Sequence, residues 1–371
     1  MKPLKVIITC VFAFALFLSG CSKKETAIQI GAILPLTGDL AALGVPIKQS
    51  IEIAEDEINS SGGIDGKKIQ VIYEDSQGDP KTAISQFNRM VSVNKIKYII
   101  SYLTGVSQAL KPLADKENVL LFALSAYPPI TEGSQNTFQI FFNFKEEADK
   151  MAAHIKELGL NSVAFIRSRD AATNYEITEF LIPKLKELGI TKIYDETFQV
   201  GDTDFRSTVS KIKATVATGL LVAGFGSDFP NLLKEIKQQN LSSKIHRIGG
   251  VGFMELPEDT PKDVTEGFVF FAPDFLLDPS AEKWKEFVSK YKERYKVKDV
   301  SYSGVYGYGA LILLTDGLKG MKYDKVDEVK KNIMTRTNYS HLIGISGFTE
   351  GRSVVTPVGV FTFREGQIQK L

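Results

Sequence analysis

Residues Ile28–Asn59 read IQIGAILPLTGDLAALGVPIKQSIEIAEDEIN. The stretch opens as a short apolar run, Ile28 to Leu34, and breaks at Pro35 into a loop holding Gly38 and Asp39. From about Ala42 a helical period takes over, with Ile47, Ile51, Ala54 and Ile58 on one face. A strand, a polar glycine-bearing loop and an amphipathic helix make the first half of a βαβ unit. Ligands of open parallel sheets bind beyond the carboxyl ends of the strands, so Leu36 to Gly44 is a candidate cleft wall. The tip, Gly38 to Leu43, is mainly apolar and is expected to supply shape more than specificity.

The same alternation continues outward from this unit. Glycines Gly62 and Gly63 stop the first helix, and Ile69 to Tyr73 alternates as a strand ending in Glu74-Asp75. Asp79-Pro80 then supplies an N-cap followed by a proline at the first helical position. Tyr98 to Ser101 and Leu120 to Leu124 are predicted strands with the helix Val106 to Glu117 between them. The pattern restarts with a helix from about Glu146 to Leu158, strand Ser162 to Ile166 and helix Glu176 to Leu188. Strand-like Lys192 to Phe198, helix Phe205 to Thr215, strand Gly219 to Ala223 and helix Phe229 to Gln239 follow. Ile248 to Gly252 and Gly267 to Phe271 are predicted as short strands.

Two runs of βα units imply two α/β domains, each a parallel sheet covered on both faces. The tail is mostly helical, with a helix capped by Asp278-Pro279-Ser280, and ends in strand-like pieces at Gly347 to Phe348 and Val354 to Phe363. The chain is therefore expected to return to the first lobe near Phe271 and cross again near Leu342. The predicted lobes are 28–140 plus 272–342, and 141–271 plus 343–371.

Length and composition agree with two ordinary globular domains: 371 residues, 43% apolar and 24% charged, with net charge +1. A near-neutral body with scattered charges gives no electrostatic case for nucleic acid. The two cysteines, Cys10 and Cys21, both lie at the start, so the body has no thiol for a disulfide, a nucleophile or a metal. His154, His246 and His341 are far apart and at no ligand spacing. No Gly-x-Ser-x-Gly elbow or Walker-type loop is present, and the glycine-dense Gly304 to Gly309 lies in a helical pattern rather than after a strand. Pairs such as Glu146-Glu147 and Glu74-Asp75 read as surface acids. No enzyme and no cofactor are expected.

Residues 1–20 carry Lys2 and Lys5, an apolar run from Val6 to Leu18 and then small residues, the layout of a secretory signal. Leu18-Ser19-Gly20-Cys21 resembles the lipobox of bacterial lipoproteins. That resemblance implies cleavage before Cys21, acylation of Cys21, and a body tied by residues 22–27 to a membrane, facing the periplasm or exterior. Several acyl chains anchor stably, at about 0.8 kcal/mol per buried CH₂.

Five features in order carry a wider resemblance: Pro35-Leu36-Thr37-Gly38, Ala54 to Asn59, Gly62 to Gly66, the strand ending in Glu74-Asp75, and Asp79-Pro80. Together they resemble the branched-chain amino-acid type of periplasmic substrate-binding proteins, over essentially everything after Ala27. Tyr308-Gly309-Ala310 looks like a later signature of the family, with Gly where Asp is usual. The resemblance implies a type I fold, two doubly wound parallel-sheet lobes joined by three crossovers. It also implies a monomer that closes on a small solute and docks on an ABC permease.

For such a cleft the first lobe offers Tyr102, Thr104, Gly105 and Ser107, where a strand end runs into a helix start, and Ser125, Ala126 and Tyr127. Backbone N–H groups at a helix N-terminus suit a carboxylate. The family's ligand carboxylate is held by these two loops. The second lobe is expected to contribute Asp170, Thr173, Tyr175, Phe225, Val251 and Phe253. Amino-acid binders of the family usually place an aromatic at the first two of these loops and an acid at the third. Phe225 fits the aromatic role, but the third loop, Gly249 to Phe253, has no acid before Glu255. An unpaired buried ammonium is expensive, so the expected solute is less zwitterionic than leucine: an aromatic acid, an amide or a short acyl compound. Arg167 and Arg169 end a strand and are read as exposed charges or, second, as partners of a carboxylate. Two other uses of the fold stay open, a ligand sensor and an envelope assembly factor of the penicillin-binding-protein activator kind.

Overall fold

β1 (Ile28–Leu34) lies inside a five-stranded parallel sheet of order β2-β1-β3-β4-β5, with β2 (Ile69–Asp75), β3 (Tyr98–Tyr102), β4 (Leu120–Leu124) and β5 (Thr137–Gln139). The structure is a computed structural model. It describes residues 27–371 apart from 39, 200–201, 225–228, 242–244, 257–259, 278–281, 299, 337–343 and 346. Cys21, Asp39, Phe225, Asp228 and His341 lie outside the described residues, as does the predicted cap Asp278-Pro279-Ser280.

Because side chains alternate along a strand, β1 feeds two cores. Ile30, Ala32 and Leu34 face Ile47, Ile51 and Ala54 of helix α1 (Ala41–Ser60). Ile33 faces Phe87 and Met90 of α2 (Pro80–Ser92), and Val106 and Leu110 of α3 (Thr104–Lys116). The predicted cap is present: Asp79 accepts the Thr82 N–H at 2.7 Å with Pro80 in the first turn. Asn59 at the end of α1 brackets Ile69, accepting its N–H at 2.8 Å and donating to its carbonyl at 3.0 Å.

The second lobe repeats the plan. After α4 (Phe144–Glu157) come β6 (Ser162–Ser168), α5 (Ala171–Tyr175), a π-helical segment (Glu176–Leu181), α6 (Ile182–Glu187) and β7 (Thr191–Phe198). Then follow α7 (Arg206–Lys213), β8 (Gly219–Ala223), α8 (Phe229–Gln238), β9 (His246–Gly249), α9 (Lys262–Thr265) and β10 (Phe268–Pro273). The order β7-β6-β8-β9-β10 matches that of the first sheet. The sheet is extended by β13 (Val358–Arg364) and β14 (Gln367–Lys370), both antiparallel.

Helices α10 (Glu282–Tyr295), α11 (Tyr302–Leu318) and α12 (Val326–Thr335) return to the first lobe. The acids of α1 receive them: Glu57 takes Lys290 at 2.9 Å and the Tyr308 hydroxyl at 2.6 Å, Asp56 pairs with Arg294, and Glu52 accepts from Tyr295 at 2.8 Å. The glycine-dense stretch is helical as predicted, and its glycines let α11 press on α1. A Cβ on Gly307 would stand 2.6 Å from the Ile47 carbonyl oxygen.

Two segments lie elsewhere than the sequence predicts. The chain stays on the second sheet past Phe271, since β10 runs to Pro273 and the Asp274 N–H donates to the Pro357 carbonyl at 2.9 Å. The small ladder β11 (Gly347–Phe348) and β12 (Val354–Val355), expected on the second lobe, borders β5 of the first. The Gln139 N–H donates to the Arg352 carbonyl at 3.0 Å, and Arg352 Nε donates to the Thr137 carbonyl at 3.0 Å. Two-residue strands carry no apolar period, so only the open edge of β5 selects their place.

Candidate functional site

The carboxyl end of β3 turns into α3 through Leu103, whose φ of 76° is unfavourable for a branched side chain. The turn ends β3 at Tyr102 and starts the helix at Thr104, with no side chain capping its first amides. Thr104 Oγ1 lies 2.9 Å from Ser125 Oγ, which joins the ends of β3 and β4. Ser125 Oγ also accepts the Tyr127 N–H at 3.2 Å, and the Ser125 carbonyl accepts from Gln139 Nε2 at 2.8 Å. Gly105 faces open space, with Pro80 4.0 Å from where a Cβ would stand. Thr104, Gly105 and Tyr127 thus stand partly or fully exposed over the buried Ser125 and Ala126 at the ends of β3 and β4, with Tyr102 half-buried beside them. Ser107 does not join them. It is fully buried, its hydroxyl 2.8 Å from Ser101 Oγ, because the fourth helical residue turns back over the strand.

In the second lobe, Asp170 caps α5, accepting the N–H groups of Ala172 at 3.1 Å and Thr173 at 2.9 Å. Thr173 is buried, and neither its hydroxyl nor Asp170 Oδ2 has a partner in the protein. Tyr175 is half-buried at the end of α5 and packs on Phe180. Arg167 is neither exposed nor free for a ligand. It is buried and bound to Asp195 through two contacts, 2.9 and 3.1 Å, and to Asn174 at 2.5 Å, since β7 places Asp195 beside it. Arg169 is exposed and donates to Thr197 Oγ1 at 2.8 Å.

Phe253, predicted to line the cleft, belongs instead to the aromatic core of this lobe. It is 2% exposed and packs against Phe229, Phe268, Phe270 and Phe363. The 3-10 turn Val251–Glu255 folds its ring back beneath Gly249, where a Cβ would collide with it. Val251 is buried too and presents its backbone N–H rather than its side chain.

The two halves meet. Tyr127 of the first lobe and Tyr175 of the second stand 4.8 Å apart, edge to face. At the first crossover Phe141 packs on Tyr306 of α11, 4.3 Å between ring centres.

Sequence reasoning missed the acid that serves the third loop. Glu147, taken for a surface residue, is completely buried in the first turn of α4, and its Oε1 accepts the Val251 N–H at 2.7 Å. Its neighbour is Glu176, 3% exposed, the first residue of the π-helical segment. Such π-helical turns are rare and occur frequently at functional sites. Glu147 Oε2 and Glu176 Oε1 are buried without a donor, and the side chains are within hydrogen-bonding reach of each other. Burial pushes the Glu147 carboxyl up to about 8, against the bond from Val251. Burial first, and then the charge of Glu147, lift Glu176 well above the usual range. No group of three metal-ligating side chains occurs among the described residues, and no described helix is long and apolar enough to cross a membrane.

A family profile described as periplasmic binding protein matches residues 27–367, and the chain belongs to that family. Its fold is the type I fold of those proteins, two α/β lobes joined by three crossovers. Among curated relatives, Leu/Ile/Val-binding protein homolog 3 of Brucella melitensis is 28% identical over 65% of each chain. Homolog 2 of Brucella abortus is 24% identical over 94% of this chain and 93% of its own. Among solved structures, the LivJ substrate-binding protein of Streptococcus pneumoniae with isoleucine has a TM-score of 0.77 at 24% identity, covering 93% of this chain and 98% of that one. A solute-binding protein of Rhodopseudomonas palustris BisB5 with 3,4-dihydroxybenzoic acid has a TM-score of 0.80 at 22% identity, covering 93% and 96%.

Proposed function

We propose that this protein is the extracytoplasmic solute-binding component of an ABC transporter. It captures a small organic solute between its lobes and delivers it to a membrane permease. The solute carries a carboxylate or amide and an apolar or aromatic body. The observation that carries this reading is the surface formed by the Thr104–Ser125 hydroxyl pair and the uncapped first turn of α3, faced across the lobes by Tyr175. Amides at a helix start and adjacent hydroxyls bind an anionic or amide oxygen, and the tyrosine rings cover the apolar remainder. Tyr102 and Phe225 stand as further wall candidates, Phe225 outside the described residues.

The relatives' ligands set the comparison. One solved neighbour holds isoleucine and another 3,4-dihydroxybenzoic acid. In this chain the acid bonded to the third loop is Glu147, fully buried and turned to the Val251 N–H, which supports a solute without a free ammonium. Thermal unfolding against a metabolite library tests the reading, because a bound solute stabilises by RT ln(1 + [L]/Kd). Aromatic acids and amides should raise the midpoint by several degrees, and leucine should not. Tight calorimetric binding of leucine with none for aromatic acids overturns the preference, and a flat response to all classes overturns solute capture. Acylation at Cys21 is the companion proposal, read out by the mass of the N-terminal peptide from membranes.

A further inference from the structure

We propose that the amino-terminal edge of the first sheet is a membrane-contacting surface, which rests on anionic phospholipid headgroups through its lysines and sets Val93 among them.

β1, β2, β3 and β4 run parallel, so the turns that enter them share one edge, opposite the ends that carry Thr104 and Ser125. The Ile28 N–H donates to the Lys68 carbonyl at 2.9 Å, which seats the start of the lobe on the turn after α1. The turn between α11 and α12 is pinned to the same edge. The Tyr323 hydroxyl donates to the Gln29 carbonyl at 2.8 Å, and the Tyr323 carbonyl accepts from the Tyr98 hydroxyl at 2.8 Å. Asp65 accepts the Gly320 N–H at 2.7 Å. Ile28, Ile64, Met321 and Tyr323 line a hollow of about 390 Å³ here, rimmed by Lys67 and Lys322.

The charge on this edge is one-sided. Lysines 67 and 68 follow α1, 95 and 97 follow α2, and 319, 322 and 325 follow α11, against two acids in the same turns, Asp65 and Asp324. Lys68 donates to the Asn59 carbonyl at 2.5 Å, Lys97 to the Glu117 carbonyl at 3.3 Å, and Lys319 pairs with Asp316 at 2.6 Å. Lys67, Lys95, Lys322 and Lys325 are exposed and make no ion pair among the described residues. The adjoining acids have cations of their own: Glu117 pairs with Lys116 at 3.7 Å, and Asp327 with Lys330 at 3.0 Å. A cation answers the negative pole at a helix end, which accounts for Lys95. Lys325, however, is the N-cap of α12, where the helix disfavours it. Local structure leaves Lys67, Lys322 and Lys325 unexplained, and an external anionic surface explains them.

Val93 gives the surface its apolar element. It is 71% exposed in the turn after α2, and only Val216, at 84%, is more exposed among the described large apolar residues. Val216 occupies the corresponding turn of the second lobe, between α7 and β8. The outgoing loops of the two sheets meet at Tyr127 and Tyr175, so the amino-terminal edges point apart and one flat membrane reaches only one of them. Residues 22–27 lead into Ile28 and span at most about 20 Å, so the first edge is the one that acylation of Cys21, proposed above, brings to a membrane. Attraction to anionic headgroups strengthens binding by about fivefold per lysine and fades within about 8 Å at physiological salt.

The test uses the chain from Ser22 without acyl groups, so that the surface alone binds. Co-sedimentation compares vesicles of phosphatidylcholine with vesicles that also contain phosphatidylglycerol. Expected is binding to the anionic vesicles only, abolished by high salt and weakened about twentyfold or more in the variant K67E/K322E. Val93→Trp should shift its emission to the blue with anionic vesicles, while Val216→Trp should not. Absent binding to anionic vesicles, unchanged binding of K67E/K322E, or an equal shift in Val216→Trp each overturns the proposal. All four positions are at the surface, and circular dichroism checks that the variants fold. Solute capture and Cys21 acylation are read by other measurements, so failure here leaves both standing.

Discussion

Tyr127 and Tyr175 face each other edge to face across the two lobes, ring centres 4.8 Å apart, each at the end of a β-strand's outgoing loop or helix. An aromatic pair of this geometry contributes about 0.5–1.5 kcal/mol beyond its buried area. Replacing Tyr175 by Ala should weaken solute binding by roughly threefold to tenfold, mainly through faster release. Tyr175→Phe keeps the ring and should retain most of the affinity. Stopped-flow dissociation with a solute from the library screen reads both; equal release rates for wild type and Tyr175→Ala would remove the pair from the latch.

Arg167 should matter for stability more than its place at a strand end suggests. Arg167→Ala removes the buried guanidinium that donates to Asp195 and Asn174, and hydrogen bonds to charged groups are worth about 1.5–3 kcal/mol. It also frees Asn174, the neighbour of Tyr175, so solute affinity should fall with stability. The exposed pair of Arg206 and Asp204 is the control, and Arg206→Ala should leave the urea midpoint where it is.

Two glycines should respond in opposite ways. At Gly307 a methyl meets the Ile47 carbonyl oxygen, and prying α11 from α1 costs about 1–3 kcal/mol. At Gly105 the space is open, so Gly105→Ala should leave stability unchanged or slightly raised. A loss of solute affinity in Gly105→Ala with an unchanged urea midpoint would place the solute against the first turn of α3.

The Glu147 carboxyl gives the folded protein a pH signature. Its folded-state value, about 8, exceeds the ordinary 4.5, so the folded state holds the proton more tightly. The associated stability is fully present below the ordinary value and is lost as pH rises towards about 8. Glu147→Gln carries the neutral form at every pH. Urea unfolding across this range should show the variant gaining on wild type as pH rises. Parallel curves for the two proteins would mean that Glu147 titrates normally.

Much of the scaffold is legible in the chain because its signals are local. The alternation of Ile30, Ala32 and Leu34 with Ile33, the Asp79-Pro80 cap and the glycines ending α1 each act within a few residues. The site is less legible because its key partners are distant. Ser107 and Ser125 look alike in sequence, yet one faces Ser101 inside the lobe and the other faces Thr104. Glu147 resembles Glu146 beside it until Val251, from a loop far along the chain, supplies a buried donor. Arg167 reads as a surface charge until β7 brings Asp195 alongside. Phe253 misleads for the same reason, since only the packed sheet reveals the ring beneath Gly249.

The clasp of Arg352 on the carbonyls of Thr131, Ser134 and Thr137, together with α11 lying on α1, has a consequence for the order of assembly. The first lobe begins at Ile28 but is roofed by residues made nearly three hundred positions later. Contacts of such sequence separation are slow to form, because long loops must close before any burial rewards them. A nascent chain of this protein can therefore close the core of Ile33, Phe87 and Met90 early, while the outer face of α1 waits for α11. Whatever machinery receives it meets a first lobe that is covered on one face only.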